Sequence, residues 1–341
     1  MRTVDSTTAG GPRGNGATGA PSALHPPLDA ELAAVLAATP DVPTTVTPEM
    51  LGPLREAVAA GAEPLTVIAE RHGVAIRTVT VPRSGVPDLE LLVARPPGTP
   101  RGAAALYWIH GGGVVLGDHR FGLDLPLAWA REFGVPVVSV DYRLAPADPD
   151  PAAVEDCYAG LVWTVEHAAE LAIDPSRIVL AGHSAGAGLA AGTALLARDR
   201  GGPRAVGQLL LCPMLDDREL TPASRQLDGV GVWDRTANRT AWRARLGERC
   251  GGPAVGAYSA PARATDLAGL PPAFVDVGSV DTFRDEAVGY AGRIWAAGGD
   301  AELHVWPGAY HCFEIYAPGA AISVAAVERR TAWLARVLRA G

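Results

Sequence analysis

A serine flanked by glycines stands where a strand-like run meets a helix-like run. The apolar run RIVLA is followed by Gly182-His183-Ser184-Ala185-Gly186 and then by small residues with helical character. Glycines two residues before and after the serine let the backbone double back where the flanking elements approach too closely for a Cβ. Such a turn exposes the serine Oγ at the edge of a sheet. The motif therefore predicts that Ser184 is a nucleophile.

A second glycine-rich motif, His110-Gly111-Gly112-Gly113, directly follows the apolar run AALYWI. Chance matches to it are rarer than chance matches to the serine motif, so it carries more weight. Bare glycine amides can face a substrate oxygen and stabilise the oxyanion that forms during acyl transfer. The alternative interpretation is a tight glycine turn without a ligand. Together, the two motifs indicate acyl-transfer chemistry.

A serine nucleophile needs a general base, and two histidines downstream of Ser184 are candidates. His304 lies inside the strand-like run AELHVWP, where a packed or surface role is expected. His311 lies in the loop just after that run, and catalytic residues concentrate in such loops. We therefore predict that His311 is the base.

The base needs a carboxylate to orient it, and the candidates are Asp276, Asp281 and Asp285. Asp276 falls in the middle of a strand, and Asp285 falls at a helix start, where an acid suits the helix dipole. Asp281 lies in the loop after the strand, from which it can reach a neighbouring loop. The predicted order of the triad along the chain is Ser184, Asp281, His311.

The composition excludes several other chemistries. All 29 residues in the Lys+Arg total are arginine, so no Schiff-base lysine and no P-loop lysine exists. The formal net charge of −8 disfavours binding to nucleic acid or to an anionic membrane. The histidines lack metal-ligand spacing such as HExxH, so the sequence predicts no metal and no cofactor.

The cysteines and the N-terminal residues indicate a cellular compartment. The four cysteines lie far apart without a CxxC pair, which predicts free thiols in a reducing environment: Cys157, Cys212, Cys250 and Cys312. The N-terminal residues lack the apolar core of a signal peptide, and no later apolar run is long enough to span a membrane. A cytoplasmic location without stable membrane insertion is therefore expected.

Strand-like runs alternate with helix-like stretches along most of the chain. After β-branched alternation from Val74, the runs lie at 104–110, 135–142, 177–182, 205–212, 273–278 and 301–307. Apolar strands that alternate with helices predict an α/β protein whose mostly parallel sheet is covered by helices. Two helices, one from Leu28 and one opened by Thr47-Pro48, precede the first strand. Residues 213–260 contain no clean strand and are predicted to be an insertion over the sheet.

These motifs resemble those of the hormone-sensitive-lipase-like branch of the α/β-hydrolases, a group of bacterial carboxylesterases. The matching stretches include HGGGVVLGD (110–118), DYRLAPA (141–147), DPSRIVLAGHSAGAGLA (174–190), DTFRDEAVGYAGRIWAAG (281–298) and YHCF (310–313). The resemblance implies an eight-stranded, mostly parallel sheet flanked by helices, with a helical cap. It also implies cap segments at 28–73 and 213–260 and a hydrolase core at 74–212 and 261–341. Residues 1–27 are predicted to be a disordered tail on composition alone, because they are rich in Gly, Pro, Ser and Thr and have almost no apolar side chains to bury.

The resemblance also implies roles for individual residues. The triad is Ser184, Asp281 and His311; the oxyanion donors are the amides of Gly111, Gly112 and Ala185; His110, Gly113, Gly182 and Gly186 support the two motifs. The implied enzyme hydrolyses short- to medium-chain carboxylic esters through an acyl-enzyme on the serine. The alternatives are an acyltransferase, deacetylase or cyclase of secondary metabolism, and a non-catalytic small-molecule receptor. The resemblance leaves open whether the protein is a monomer or a homodimer.

Several positions depart from the family pattern without removing a triad residue. His183 replaces the usual aspartate before the serine, Cys312 replaces the usual glycine after the histidine, and Ala187, Ala147 and Thr282-Phe283 are further replacements. A side chain before the nucleophile usually points away from the substrate, so His183 is not expected to be a second base. The replacements are expected to change the shape of the pocket.

Overall fold

The computed structural model describes residues 24–40 and 42–339. Of the predicted disordered tail, residues 1–23 lie outside the described part of the chain, and residues 24–27 form neither helix nor strand. The predicted helices and strands lie within the described ranges.

One eight-stranded sheet forms the centre of the fold. Its strands are β1 Ala75–Val81, β2 Leu89–Arg95, β3 Ala103–Ile109, β4 Val137–Val140, β5 Ile173–His183, β6 Gly207–Leu211, β7 Ala273–Val280 and β8 Ala301–Tyr310. The spatial order is β1-β2-β4-β3-β5-β6-β7-β8. Strand β2 is antiparallel to both of its neighbours, and all other pairs are parallel. The predicted α/β class with a mostly parallel sheet is confirmed.

Helices cover both faces of the sheet. The helices are α1 Ala30–Ala38, α2 Leu51–Ala60, α3 Leu65–His72, α4 Asp124–Phe133, α5 Ala152–Glu166, α6 Ala168–Leu171, α7 Ala185–Asp199, α8 Pro222–Gln226, α9 Arg235–Leu246, α10 Arg284–Ala296, α11 Phe313–Tyr316 and α12 Ala321–Arg339. Helices α5, α7 and α10 bury apolar side chains on one face, and α4 and α12 do so on the other. Within the described ranges, no helix combines the length and apolar character needed to cross a bilayer.

Helix α3 is an element that the sequence pattern did not predict. It has eight residues, fewer than the window of about 11–18 residues in which a helical period can be recognised, and it buries only Ile68 fully. The helix ends at Gly73, whose φ of 57° is the left-handed conformation that glycine adopts at helix ends. The two helices predicted before the first strand correspond to α1 and α2.

The segment before β1 and the segment between β6 and β7 are joined by hydrogen bonds. Thr44 Oγ1 donates to Gly231 O at 2.7 Å, and Asp234 N donates to Thr44 O at 3.0 Å. The second segment contains α8 and α9, and its described residues between 213 and 260 include no strand. The first segment also reaches the glycine-rich loop after β3, since Arg55 Nε donates to Val115 O at 2.6 Å. Both segments therefore lie at the same end of the sheet.

A chain of buried charges fixes α11 and α12 to the sheet. Arg330 of α12 donates through Nε to Asp276 Oδ2 of β7 at 2.6 Å, and its Nη1 donates to Glu314 of α11. Trp306 Nε1 donates to the same Asp276 oxygen at 3.0 Å. Burial would raise the pKa of Glu314, but the neighbouring guanidinium of Arg330 outweighs it and lowers that pKa. A buried charge is tolerated only when it is paired in this way.

Removing the Arg330 guanidinium, which pairs with both buried carboxylates, should destabilise the fold. We expect Arg330→Met to lower the free energy of unfolding by about 3–5 kcal/mol, because two buried carboxylates lose their partner. The matched control is Arg336→Met on the same helix, whose side chain is 61% exposed and, within the described part of the chain, forms an ion pair with Glu302 alone. That change should cost less than about 1 kcal/mol. Urea denaturation measures both, and equal losses would show that the buried pairing adds nothing.

Candidate active site

Ser184 is the single residue between β5 and α7, and its backbone is strained. Its φ of 58° and ψ of −121° lie outside the regions that a non-glycine residue usually adopts. Its amide donates to Leu211 O at 2.8 Å, which ties the turn to β6. The strain is typical of a turn that holds a nucleophile away from the sheet.

The two glycines of the serine motif are required by close backbone approach. A Cβ on Gly182 would lie 2.5 Å from the carbonyl carbon of Gly186. A Cβ on Gly186 would lie 2.0 Å from Ile109 O at the end of β3. No side chain fits at either position, because every atom that it would meet belongs to the backbone. The glycines thus let β3, β5 and α7 meet at the serine.

The structure brings the three predicted triad side chains together. Ser184 Oγ lies 2.8 Å from His311 Nε2, and His311 Nδ1 lies 2.8 Å from Asp281 Oδ2. Asp281 directly follows β7 and His311 directly follows β8, while all three residues are buried. The other carboxylate oxygen of Asp281 accepts from Phe283 N at 2.9 Å, which fixes the orientation of the carboxylate.

The environment of His311 favours its charged form. Burial disfavours the imidazolium, but the adjacent carboxylate of Asp281 outweighs burial and raises the pKa of His311 above its usual range. The ring of Phe283 packs edge-on against the imidazole, with centroids 5.0 Å apart. An imidazole held in one orientation beside a hydroxyl and a carboxylate can take a proton and hold the resulting charge.

The aspartates and the histidine that the sequence analysis set aside make other contacts. Asp276 pairs with Arg330, and Asp285 Oδ2 accepts from the backbone amide of Ala223 at 2.8 Å. His304 lies within β8, where its Nε2 is 2.8 Å from Glu302 Oε1. None of the hydrogen bonds among the described residues joins these three side chains to Ser184.

The glycine-rich loop lies against the serine turn. A Cβ on Gly111 would lie 3.0 Å from His183 O and 3.4 Å from Ser184 Cβ, so the loop backbone approaches the turn closely. Among the described residues, no hydrogen bond uses the amide of Gly111, Gly112 or Ala185 as its donor. Amides without an internal acceptor can donate to a ligand oxygen.

His110 supports this loop from behind. Its ring stacks on Tyr142 at a centroid distance of 4.1 Å, and Tyr142 Oη donates to His110 O at 2.8 Å. Burial lowers the pKa of His110 to about 4, so the ring is neutral at neutral pH. A neutral ring in a packed stack serves to position the loop rather than to transfer protons.

Trp233 of the segment between β6 and β7 touches two loops of the site. A Cβ on Gly113 would lie 2.6 Å from the indole ring, so the ring covers the glycine-rich loop. Thr282, next to Asp281, donates through Oγ1 to Trp233 O at 3.1 Å. Trp233 itself adopts a positive φ of 61°. The segment thus closes over the glycine-rich loop and the aspartate loop at once.

The side chain of His183 extends to residues that sequence reasoning did not assign to the site. Its Nε2 lies 3.2 Å from Glu314 Oε1 and 3.6 Å from Cys212 Sγ. Burial opposes the charged ring, but the contacts with Cys212 and Glu314 outweigh it and raise the pKa of His183 to about 9. Nothing local in the sequence marks Glu314 or Cys212, because they reach the histidine from separate strands and helices. The four cysteines are free, as predicted.

A cavity of about 400 Å³ opens beside the serine turn. Gly111, His183 and Glu314 form its end next to the turn. Its other walls are mainly apolar: Trp108, Phe121, Leu125, Ala128, Ile315, Pro318 and Val327. A cavity of this size with few polar groups suits a small organic ligand.

Comparisons with known proteins point to one family. The family model described as alpha/beta hydrolase fold matches residues 106–315. Carboxylesterase NlhH of Mycobacterium tuberculosis is 38% identical over 267 residues, which are 76% of this chain and 82% of that protein. Hormone-sensitive lipase of Bos taurus is 43% identical over 105 residues, which are 31% of this chain and 14% of that protein. The solved structure of a bacterial heroin esterase is 38% identical with a TM-score of 0.83, covering 92% of this chain and 98% of that chain.

The matches extend over the parts of the chain that build the site. The family model spans from β3 through α11, which includes both glycine motifs and all three triad candidates. The resemblance read from the motifs is thereby confirmed. This chain belongs to the hormone-sensitive-lipase-like carboxylesterases of the α/β-hydrolase fold.

Proposed function

We propose that the protein is a serine carboxylesterase that acts through an acyl-enzyme on Ser184. The observation that carries the proposal is the unbroken chain of contacts from Ser184 Oγ through His311 to Asp281, each 2.8 Å long. His311 Nε2 takes the hydroxyl proton while Oγ attacks the ester carbonyl. Asp281 holds the proton on Nδ1 and stabilises the imidazolium. His311 then gives the proton to the leaving alkoxide, and a water activated by the same histidine releases the acid.

The oxyanion of the tetrahedral intermediate needs donors that are already in place. We assign this role to the amides of Gly111, Gly112 and Ala185, which have no acceptor among the described residues. Fixed donors act where charge develops, so they lower the barrier rather than merely binding the ester. Losing one such donor costs about 10²- to 10³-fold in kcat.

The acyl group fits the cavity beside the serine turn. Gly111 lies both at the turn and at the cavity end, so an acyl chain that leaves the oxyanion donors enters the apolar walls. The volume of about 400 Å³ supports a preference for short- to medium-chain acids. Residues 28–73 and 213–260 form the cap over this site, a role supported by the contacts of Thr44 with Gly231 and of Trp233 with the site.

Removing the nucleophile or the base should abolish hydrolysis. We expect Ser184→Ala and His311→Ala each to lower kcat for p-nitrophenyl butyrate by about 10⁵- to 10⁶-fold. The matched controls are Ser323→Ala, a buried serine of α12, and His304→Ala, the partly buried histidine of β8. Both controls should keep at least half of the activity. An active Ser184→Ala protein, or one that a fluorophosphonate still labels at a serine, would contradict the assignment.

The role of Asp281 predicts a change in the pH profile. Activity requires neutral His311, so it falls as pH drops through a pKa that Asp281 raises. Asp281→Asn should therefore lower kcat by about 10⁴-fold and shift the acidic limb of kcat/KM to lower pH. The control, Asp285→Asn, should leave the limb in place, since an asparagine oxygen can still accept from Ala223 N. If the acidic limb of kcat/KM does not shift in Asp281→Asn, Asp281 is not the triad carboxylate.

Narrowing the cavity should change the chain-length preference. We measure kcat/KM along a p-nitrophenyl ester series from acetate to palmitate. The wild type should have higher values for the esters in the range from butyrate to octanoate than for palmitate. Ala128→Phe fills part of the cavity and should lower kcat/KM for octanoate, relative to acetate, by at least about tenfold. Glu132→Phe, one helical turn beyond Ala128 and outside the cavity lining, is the control and should keep the wild-type order. An unchanged order in Ala128→Phe would place the acyl chain elsewhere.

A further inference from the structure

Two of the positions at which this chain departs from its family lie next to each other in space. His183 stands where the family has aspartate, and Cys312 stands where it has glycine. Cys312 Sγ lies 3.7 Å from His183 Nδ1, and Cys212 Sγ lies 3.6 Å from His183 Nε2. One nitrogen of the imidazole and the two sulfur atoms all lie within 4.8 Å of one another. A substitution near the serine and another near the catalytic histidine thus build one cluster.

The cluster is held at the carboxyl ends of three parallel strands of the sheet. His183 is the last residue of β5, Cys212 follows β6, and Cys312 lies in the turn after β8, which joins the sheet through β7. The amide of Cys212 donates to Asp276 O of β7 at 2.8 Å. His183 and Cys212 are buried, and Cys312 is partly buried. The three side chains are therefore positioned by rigid elements before any ligand arrives.

Two thiols and an imidazole form a ligand set for a thiophilic cation. Zinc binds sulfur at about 2.3 Å and imidazole nitrogen at about 2.0–2.1 Å, which puts tetrahedral ligands roughly 3.5–3.8 Å apart. The distance of 3.7 Å between Cys312 Sγ and His183 Nδ1 already has this length. Cys212 Sγ lies within 4.8 Å of Cys312 Sγ and of an imidazole nitrogen, so a small shift of its side chain brings it to the ion. If the imidazole binds the ion through Nδ1, its Nε2 stays 3.2 Å from Glu314 Oε1. Metal-bound histidines usually have such a carboxylate partner on their other nitrogen.

We propose that His183, Cys212 and Cys312 form a binding site for a thiophilic d¹⁰ cation such as Zn²⁺. The ion forms one bond to nitrogen and two to sulfur, and three protons leave to solvent: one from each thiol and the Nδ1 proton of the His183 imidazolium. The cavity lined by His183 and Glu314 gives access from solvent. A water molecule completes the fourth position of the tetrahedron.

The bound ion inhibits ester hydrolysis. Cys312 is joined by a peptide bond to His311, so an ion on Cys312 brings positive charge close to the catalytic imidazole. Cys212 also reaches the triad, since its sulfur, a nitrogen of His311 and an oxygen of Asp281 lie within 4.8 Å of one another. A nearby cation disfavours the imidazolium that His311 must form when it takes the serine proton.

The first test is inhibition of p-nitrophenyl butyrate hydrolysis by buffered Zn²⁺ in the presence of a phosphine reductant. Cys312→Gly should raise the half-inhibitory Zn²⁺ concentration by at least about tenfold. The substitution suits the backbone, because Cys312 has a φ of 61°. The control is Cys250→Ser, whose sulfur has the backbone oxygen of Asp217 as its one hydrogen-bond partner among the described residues. It should be inhibited like the wild type. Equal inhibition of the wild type and Cys312→Gly would overturn the proposal and place the ion on the triad itself.

The second test does not depend on the proposed esterase activity, on which the inhibition measurement rests. Adding Cd²⁺ to the reduced full-length protein should give the ultraviolet charge-transfer band of two cadmium–thiolate bonds. Cys312→Gly and Cys212→Ser should each lower the band by about half or more, and Cys250→Ser should not change it. Circular dichroism checks that each variant is folded. The absence of the band in the wild type, or its persistence at full intensity in both cluster variants, would refute the site.

Discussion

The contact between His311 and Ser184 is the interaction on which the rest of the site depends. The two residues directly follow β8 and β5, whose carboxyl ends reach the same edge only because these strands and those between them are parallel. Parallel pairing sets the height of each loop above the sheet, and the strained turn at Ser184 sets the direction of Oγ. The hydroxyl, the imidazole and the carboxylate can then meet without water between them. Every other feature of the site keeps this alignment in place.

A second constraint acts on the side of His183. Its contact with Glu314 continues through Arg330 to Asp276, so positive and negative charges alternate from the serine turn to β7. Each charge in this row is buried and would be costly alone, which makes the row cooperative. The row joins the strand that carries the nucleophile to the helix that follows the catalytic histidine. A histidine in place of the family's aspartate fits here because its Nε2 contacts the buried carboxylate oxygen Oε1 of Glu314, which also accepts from Arg330.

The sequence predicted the parts of the structure that local backbone chemistry controls. Glycine spacing around Ser184 and after His110 marked the two turns, and alternation of apolar runs marked the sheet. Asp281 and His311 were chosen because each lies in a loop just after a predicted strand. The structure brings their side chains into contact. The partnership of Arg330 with Asp276 and Glu314 was not predictable, because these residues come from α12, β7 and α11 and share no motif. The cluster of His183, Cys212 and Cys312 was not predicted for the same reason. The spacing of metal ligands can be recognised in a sequence when the ligands lie close together along the chain, and these three do not.

Trp233 couples two loops of the site that lie far apart in the sequence. Its ring covers the glycine-rich loop, and its carbonyl accepts a hydrogen bond from Thr282 beside Asp281. The two loops therefore cannot move independently, because a displacement of Trp233 changes the surroundings of the glycine-rich loop and of the aspartate loop together.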